Sequence, residues 1–389
     1  MQSMYFTEEH HLFRESLKDF LQKEVVPHIE KWEASGQIER FIWKKFGEMG
    51  YFGLAVPEAD GGLGLDLFYT VILLEELQKI DSGGFAAAIW AHAYLAMTHL
   101  HKNANETQKA AFLTPSINGE KIGCLGVTEP FGGSDVAGMR TTATKKGDHY
   151  IINGSKTFIT NGVYGDYIIL TAKTDPAAGN KGISIFIVDL HSKGVTKNKL
   201  NKLGWRASDT AELAFDNVEV PAANLMGEEG KGFTFIMEAF ALERLIMGVN
   251  AHARAEYALE YALQYMSERE TFGKTIDQYQ ALRHRFVDLH ADMDMCKYYN
   301  YGVVHKMDRG EYVVLEATIS KLKSTKMADE VIYDCLQFLG GYGYIEDYPM
   351  ARLLRDSRLG PIGGGTSEIL KEIIAKIVID KKEYRPPTG

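Results

Sequence analysis

The chain has 389 residues, of which 45% are hydrophobic and 24% are charged, and this globular usage excludes a disordered or collagen-like chain. Its 43 basic and 52 acidic residues leave a net charge of -9, which argues against a protein that binds nucleic acid by neutralising phosphates. The three cysteines, Cys124, Cys296 and Cys335, lie far apart without metal-ligand spacing, so neither a disulfide framework nor a zinc site is expected.

The sequence near the N-terminus has no basic run followed by an apolar run of the kind that makes a leader peptide. Its most apolar window, over 85–100, is too short to span a bilayer and carries two histidines. We therefore expect a cytoplasmic protein of bacterial type without a membrane span. A mature protein of the mitochondrial matrix would have the same features.

Residues 1–120 carry helical patterns. Thr7 is a candidate helix cap, and the apolar residues after it keep a 3.6-residue spacing until Pro27. A second amphipathic run covers 67–80, and 85–100 is apolar on nearly every side, as in a helix buried inside a protein. We predict an N-terminal α-helical domain over 1–120.

Residues 121–231 change to a period of two. Ile183, Ile185 and Ile187 alternate with further small or apolar residues, as in a strand that is buried on both faces. Asn153-Gly154 is a tight-turn signal between two such runs. We predict a middle domain over 121–231 that is an antiparallel β-barrel.

Helical patterns return over 232–389. The stretch 233–268 has no proline and one interior glycine, so it predicts a single long helix. Further helices are predicted over 278–308 and 314–338, and a last one begins in the stretch 363–368. The fold class is therefore α+β, with a C-terminal four-helix bundle over 232–389.

The most informative motifs lie in the middle domain. Residues 125–135 read LGVTEPFGGSD, and residues 153–162 read NGSKTFITNG. The first motif is a strand that Pro130 breaks into a glycine-rich turn, where backbone N–H groups and the hydroxyls of Thr128 and Ser134 suit a polar ring or a phosphate. An ordinary β-turn is the alternative that composition alone leaves open.

These two motifs resemble those of the acyl-CoA dehydrogenase flavoproteins. The resemblance continues in the family's order through DTAEL at 209–213, GEEGKGF at 227–233, RETFG at 269–273, QFLGG at 337–341, YPMARLLRD at 348–356 and GTSE at 365–368. It implies an enzyme that uses FAD to convert acyl-CoA thioesters to trans-2-enoyl-CoA, in fatty-acid β-oxidation or in branched-chain acyl-CoA catabolism. It further implies a homotetramer, as a dimer of dimers, that passes electrons to an electron-transfer flavoprotein.

The position of the catalytic base is implied by the same resemblance. Most of the family has a glutamate directly before the last Gly-Thr-Ser, but this chain has Gly364 there. The long-chain and isovaleryl branches instead carry a Glu-Arg pair on the helix after the β domain, which matches Glu243 and Arg244. The resemblance thus implies that Glu243 removes the α proton and that the Gly364 N–H binds the thioester oxygen. A surface helix glutamate is the alternative for Glu243.

Residue by residue, the resemblance also implies the binding sites. The FAD residues are Leu125, Val127, Thr128, Ser134, Phe158, Ile159, Thr160, Arg269, Thr271, Phe272, Gln280, Gln337, Gly340, Gly341, Thr366 and Glu368. The segments at Arg269 and Gln337 match those that reach FAD across a subunit interface. Ser134, Arg244 and Gly365 are the implied substrate contacts. Structural roles remain alternatives for Gln280, for Gly340 and, as a buried ion-pair partner, for Arg244.

Two rival functions remain open at this point. An acyl-CoA oxidase would pass the electrons to dioxygen instead of a carrier protein. A non-catalytic protein with the same flavin fold would bind DNA, although the net charge of -9 argues against it.

Overall fold

The computed structural model describes residues 4–383, and a helical region comes first in the chain. Its helices are α1 Glu8–Glu24, α2 Ile29–Ser35, α3 Arg40–Glu48, α4 Leu67–Gln78, α5 Gly83–Trp90, α6 Met97–Asn103, α7 Glu106–Gln108 and α8 Thr114–Ile117. Two π-helical segments, Ala91–Ala96 and Lys109–Leu113, connect α5 to α6 and α7 to α8. The region is helical throughout, as the sequence predicts.

Local signals determine where these helices begin and end. The hydroxyl of Thr7 accepts a hydrogen bond from the His10 N–H at 3.4 Å, and α1 ends before Pro27. Asp66 caps α4 in the same way, through the Phe68 N–H at 2.8 Å. The α5 helix is buried along its whole length, as its apolar pattern predicts.

The middle region is a mixed sheet. Its strands are β1 Gly123–Gly126, β2 Thr142–Lys146, β3 His149–Thr160, β4 Tyr167–Lys173, β5 Ile183–Asp189, β6 Val195–Lys199, β7 Thr210–Pro221 and β8 Leu225–Met226. They pair in the order β6-β7-β3-β2-β4-β5-β8, and β1 pairs with β4. Most pairs are antiparallel, but β1 runs parallel to β4, and so does β2 where Thr142 meets Lys173.

The sheet differs from the predicted antiparallel barrel. Within residues 4–383, no pairing joins β6 to β8, so the sheet is open. The β8 strand has only two residues before the chain continues into the next helix, which is too short a ladder to close a barrel. The β6 strand exposes Thr196, Asn198 and Lys199, and exposed polar or charged positions are typical of a sheet edge.

The β3 strand contains an irregularity that matters for the site. Its register with β7 shifts between Lys156 and Ile159, and Phe158 there has a φ of +61°. Bulges redirect side chains and are frequent next to active sites. Here the Phe158 ring is 70% exposed, while Ile159 is buried in the core of the sheet.

The last region is again helical. It contains α9 Gly232–Glu268, the short hairpin β9 Glu270–Thr271 and β10 Lys274–Thr275, and then α10 Gln280–Asp308, α11 Val314–Phe338, α12 Pro349–Ser357 and α13 Ser367–Val378. The α9 helix is one unbroken helix of 37 residues, as predicted. The α11 helix packs against α9, α10 and α13. No helix within residues 4–383 is both long enough and apolar enough to cross a membrane.

A buried polar cluster fixes the first helical region against α9 and α10. Glu75 accepts hydrogen bonds from Tyr301 at 2.5 Å and from Arg14 at 2.7 Å, and it lies 3.2 Å from His252 Nε2. Burial alone would raise the pKa of Glu75, but the His252 hydrogen bond and the Arg14 charge hold it well below its ordinary value. The cluster therefore fixes α9, the helix that carries Glu243, against the first helical region.

Candidate active site

Glu243 and Gly364 face each other across a short gap. Glu243 lies on α9, and Gly364 lies in the 358–366 loop between α12 and α13. A Cβ atom built on Gly364 would lie 3.2 Å from Glu243 Oε1 and 2.5 Å from the Met247 sulfur. Gly364 also has a φ of +60°, which favours glycine. The two positions that the resemblance implies for the base therefore border one space.

The surroundings of Glu243 suit a catalytic base. Its side chain is half-buried, with protein atoms crowding it on the other sides. Burial raises its pKa above the ordinary value, and the positive charges of Arg244 and Lys321 oppose that rise. A carboxylate with a raised pKa is a stronger base, and nearby positive charges keep it ionised.

Lys321 is a site residue that the sequence reasoning missed. It is fully buried on α11, and its ammonium donates a hydrogen bond to the carbonyl oxygen of Gly365. Burial lowers its pKa to about 8, although the Glu243 carboxylate opposes the fall. Its position in the sequence could have identified it, because Lys321 falls on the same buried face of α11 as Ala317, Ser324 and Ala328.

The predicted substrate residues lie in different settings. Arg244 is buried, donates to the Thr318 hydroxyl at 3.2 Å, and has its guanidinium carbon 5.8 Å from the centre of the Phe240 ring. Gly365 accepts the Lys321 hydrogen bond described above. Ser134 is exposed in the glycine-rich turn after β1. Arg244 thus packs against α11 through a neutral hydroxyl, and its role as a substrate contact stays a prediction.

Several predicted flavin residues meet at the end of β1. Leu125 belongs to β1, and Val127 and Thr128 follow it directly. The Thr157 N–H donates to the Thr128 carbonyl at 2.9 Å, which brings this turn next to Phe158 on the bulged part of β3. Thr160 is half-buried at the end of β3. The side chain of Ile159 belongs to the core instead, as described above.

A buried ion pair supports this turn from behind. The Lys156 ammonium lies 2.8 Å from Glu129 Oε1 and donates to the Val127 carbonyl at 3.1 Å. Glu129 also accepts the backbone N–H groups of Arg140 at 2.6 Å and Thr141 at 3.0 Å. Both charged residues belong to motifs read in the sequence, but their pairing depends on the folded sheet.

A second cluster of predicted FAD residues lies beyond the C-terminal end of α9. A cavity of about 900 Å³ is lined there by Arg269, Thr271, Phe272, Gln337, Gly340 and Gly341, among others. The Arg269 guanidinium carbon lies 5.8 Å from the centre of the Tyr342 ring, and Phe272 is 99% exposed. Gln280 begins α10 beside the cavity wall without lining it. A guanidinium, aromatic rings and glycines with free space beside them suit the binding of a nucleotide.

The last two predicted FAD residues lie at the start of α13. Thr366 caps α13 through the Ile369 N–H at 3.4 Å, and Glu368 is exposed in the first turn of that helix. Glu243 and Arg269 are 26 residues apart along and just beyond α9, which corresponds to roughly 40 Å of helix. Glu243 and the Arg269 cavity are therefore far apart within one chain.

Three family models match consecutive parts of the chain. The N-terminal domain model of acyl-CoA dehydrogenase matches residues 7–120, the middle domain model matches 124–218, and the C-terminal domain model matches 230–379. The chain belongs to the acyl-CoA dehydrogenase family. The fold predicted from the resemblance is confirmed at the level of a helical, a sheet and a second helical region.

Individual acyl-CoA dehydrogenases match over almost the whole chain. The long-chain specific acyl-CoA dehydrogenase of Sus scrofa is 37% identical over 380 residues, which cover 97% of this chain and 88% of that protein. The isovaleryl-CoA dehydrogenase of Pongo abelii is 38% identical over 375 residues, covering 95% and 88%. The crystal structure of an acyl-CoA dehydrogenase from Geobacillus kaustophilus has a TM-score of 0.94 and 39% identity, covering 97% and 99%.

The predicted enzyme class and cofactor are confirmed by this membership. The protein is an oxidoreductase of the acyl-CoA dehydrogenase type and an FAD flavoprotein. The structure offers suitable surroundings, because Phe158 presents a flat exposed ring in a left-handed backbone conformation, which is a strained arrangement typical of functional sites. The Arg269 cavity offers a cation and open glycines for a pyrophosphate.

Proposed function

We propose that this acyl-CoA dehydrogenase uses Glu243 to remove the α proton of a saturated acyl-CoA thioester. The observation that carries the proposal is the 3.2 Å between Glu243 Oε1 and the Cβ position of Gly364, where most of the family has its glutamate. A carboxylate carried on α9 would therefore reach the carbon that a carboxylate at position 364 would reach. The raised pKa of Glu243 supports the role, because burial makes the carboxylate more basic.

The remaining site residues have roles in binding and orientation. The end of β1 and the bulge of β3 would hold the flavin ring through Leu125, Val127, Thr128, Ser134, Phe158 and Thr160, while Ile159 packs in the sheet core behind them. When bound, FAD accepts the β hydrogen of the substrate as a hydride. The Gly364 N–H would stabilise the negative charge that develops on the thioester oxygen. Ser134, Arg244 and Gly365 would contact the substrate.

We also propose that two copies of the chain share each FAD. The roughly 40 Å of helix between Glu243 and Arg269 supports this. One FAD would lie beside Glu243 and also contact the residues around Arg269 only if the Arg269 residues came from another copy. The second copy would contribute Arg269, Thr271, Phe272, Gln280, Gln337, Gly340 and Gly341. Thr366 and Glu368 follow Gly364 at the start of α13 and would belong to the copy that carries Glu243. The proposed assembly is a homotetramer, built as a dimer of dimers.

The chain divides, in this proposal, into domains over 1–120, 121–231 and 232–389. The contacts of α11 with α9, α10 and α13 support a four-helix bundle in the last of them. Three free cysteines suit a reducing compartment, so we propose a cytoplasmic location, with the mitochondrial matrix as the alternative.

The proposed substrate is a long-chain acyl-CoA, with a branched short-chain acyl-CoA as the second candidate. Relatives named for each are 37% and 38% identical to this chain, so overall identity does not separate them. An anaerobic titration of the flavin colour with acyl-CoA esters of increasing chain length would separate the two. The proposed electron acceptor is an electron-transfer flavoprotein, and fast turnover in air without that protein would indicate an oxidase instead.

The decisive experiment for the base replaces Glu243 with glutamine. Glu243→Gln should keep the yellow, FAD-loaded protein but abolish its bleaching by acyl-CoA under anaerobic conditions. Glu238→Gln, an exposed glutamate on the same helix, is the matched control and should bleach at the wild-type rate. Bleaching of Glu243→Gln at near the wild-type rate would move the base elsewhere.

A further inference from the structure

The buried lysine on α11 binds the loop that faces the base. Its ammonium donates to the Gly365 carbonyl, and Gly365 follows Gly364, whose Cβ position lies 3.2 Å from Glu243 Oε1. Lys321 is 0% exposed, although lysine is almost never fully buried without a partner. Because water does not reach this ammonium, protein groups must stabilise its charge.

We propose that Lys321 is a positioning residue for the Glu243 base: it ties the 363–365 loop to α11, with Gly364 facing Glu243 on α9, and provides the buried positive charge that balances the Glu243 carboxylate. The inference rests on the proposed function of Glu243. Lys321 does not touch the reacting carbon in this arrangement. It acts through the Gly365 carbonyl and through its charge.

The loop geometry explains why a hydrogen bond is needed here. Gly364 and Gly365 have φ values of +60° and +92°, so consecutive residues of this loop lie in a conformation that most residues avoid. Two such glycines lose much conformational freedom when the loop is ordered. The hydrogen bond from Lys321 fixes the peptide group between Gly365 and Thr366 and thereby limits the movement of the loop that carries Gly364.

The charge role follows from the short list of ionised groups around the base. Only Arg244, on the same helix, and Lys321, on α11, act electrostatically on Glu243 among the described residues. The Arg244 side chain is directed towards Thr318 by its hydrogen bond. In return, Glu243 and Arg244 are the charged groups that act on Lys321. The three charges therefore form one local set in which Lys321 and Arg244 balance Glu243.

The test measures the ionisation of Glu243 without using turnover. The difference in melting temperature between the wild type and Glu243→Gln is followed from pH 4 to pH 9, and then again with Lys321→Met in both proteins. An opposite charge within a few ångströms shifts a carboxyl pKa by about one to three units. Removing Lys321 should therefore move the pH at which the difference reaches its plateau upward by about one unit or more.

Lys202→Met is the matched control. Lys202 also has a pKa lowered to about 8 by burial, but it donates to the Ser208 carbonyl at 2.6 Å and does not act on Glu243. Its replacement should leave the plateau where it is in the wild type. A plateau that moves equally in both lysine variants, or in neither, would overturn the charge role.

The loop role is separated from the charge role by Lys321→Gln, which keeps an N–H donor but loses the charge. At a pH above the plateau, Lys321→Met should bleach the flavin about tenfold more slowly or worse, because small displacements at a reacting centre are costly. Lys321→Gln should recover part of that rate at the same pH. Equal rates in the wild type and both variants would exclude the loop role.

Two further outcomes are decisive. If Lys321→Met folds only when combined with Glu243→Gln, the charge role is supported, because the unbalanced carboxylate has then been removed. If it fails to fold equally in both backgrounds, the lysine is a general packing residue and the proposal is wrong. Normal bleaching by Glu243→Gln would end the proposed function, while the melting data would still decide whether Lys321 balances that carboxylate.

Discussion

Lys156 and Glu129 form a fully buried ion pair, 2.8 Å apart, directly behind the turn that carries Val127 and Thr128. The pair joins β3 to the glycine-rich turn, and Glu129 also satisfies two backbone N–H groups of the segment that leads into β2. Burial alone would raise the pKa of Glu129, but Lys156 holds it below its ordinary value. The proposed flavin surface therefore depends on two charges that solvent does not reach.

Breaking this pair should cost more than removing a surface ion pair. Lys156→Met leaves the Glu129 carboxylate buried without its cation, and such losses cost about 3–5 kcal/mol of unfolding free energy. We expect a lower melting temperature and weaker retention of FAD on gel filtration. Lys146→Met, at an exposed position of β2, should leave both measurements unchanged. A Lys156→Met protein that melts like the wild type would show that the pair does not support the turn.

Gly364 should not tolerate even a methyl group. In Gly364→Ala the new Cβ would meet the Met247 sulfur at 2.5 Å, and the left-handed backbone would add about 1–2 kcal/mol of strain. We expect reduced stability together with slower bleaching of the flavin by acyl-CoA. The double variant Gly364→Ala/Met247→Ala should recover part of the stability, since it removes the clash but keeps the backbone strain. Recovery to the full wild-type stability would mean that alanine at position 364 causes no backbone strain.

The Glu243 carboxylate, proposed as the base, should lower the stability of the fold at neutral pH. Because its folded pKa is raised, the neutral form of Glu243 stabilises the fold below the ordinary carboxyl range, and this contribution is lost as the pH rises through the raised value. Glu243→Gln should therefore melt at a higher temperature than the wild type at pH 8 and at the same temperature at pH 4. Differential scanning calorimetry across this range checks the sign. A lower melting temperature at pH 8 would contradict the direction given for the Glu243 pKa.

Sharing of the cofactor between copies predicts complementation. Glu243→Gln and Arg269→Ala should each be nearly inactive alone. A mixed assembly of the two contains sites that combine Glu243 of one copy with Arg269 of the other, so co-expression with different affinity tags should restore a substantial fraction of the activity. Co-expression of Glu243→Gln with Gly364→Ala, two changes in the same cluster, should restore none. Absence of rescue in the first pair would indicate that each chain binds FAD by itself.

The sequence predicted the helices well because their signals are local. Thr7 and Pro27 mark the two ends of α1 by local signals alone. The uninterrupted stretch after residue 232 predicted α9. Closure of the sheet was not predictable in the same way, because it depends on whether the two edge strands β6 and β8 meet in the folded sheet. The α12 helix was missed although its nine residues are amphipathic.

The candidate site was only partly readable. Glu243 and Gly364 were predicted through the family resemblance, not from the chemistry of the residues alone. Lys321 was missed because a lysine in a helix reads as solvent-exposed unless the buried stripe of that helix is already known. Ile159 was grouped with Phe158 and Thr160, but the bulge sends its side chain to the opposite side, into the sheet core.

The shared space between α9 and the 358–366 loop restricts how such enzymes can change over time. A chain carrying acids at both positions would have to fit two like charges where Met247 already leaves no room for a methyl group. In this chain, moving the carboxylate from α9 to the loop would therefore require at least two changes, one that removes the Glu243 side chain and one that makes room beside Met247.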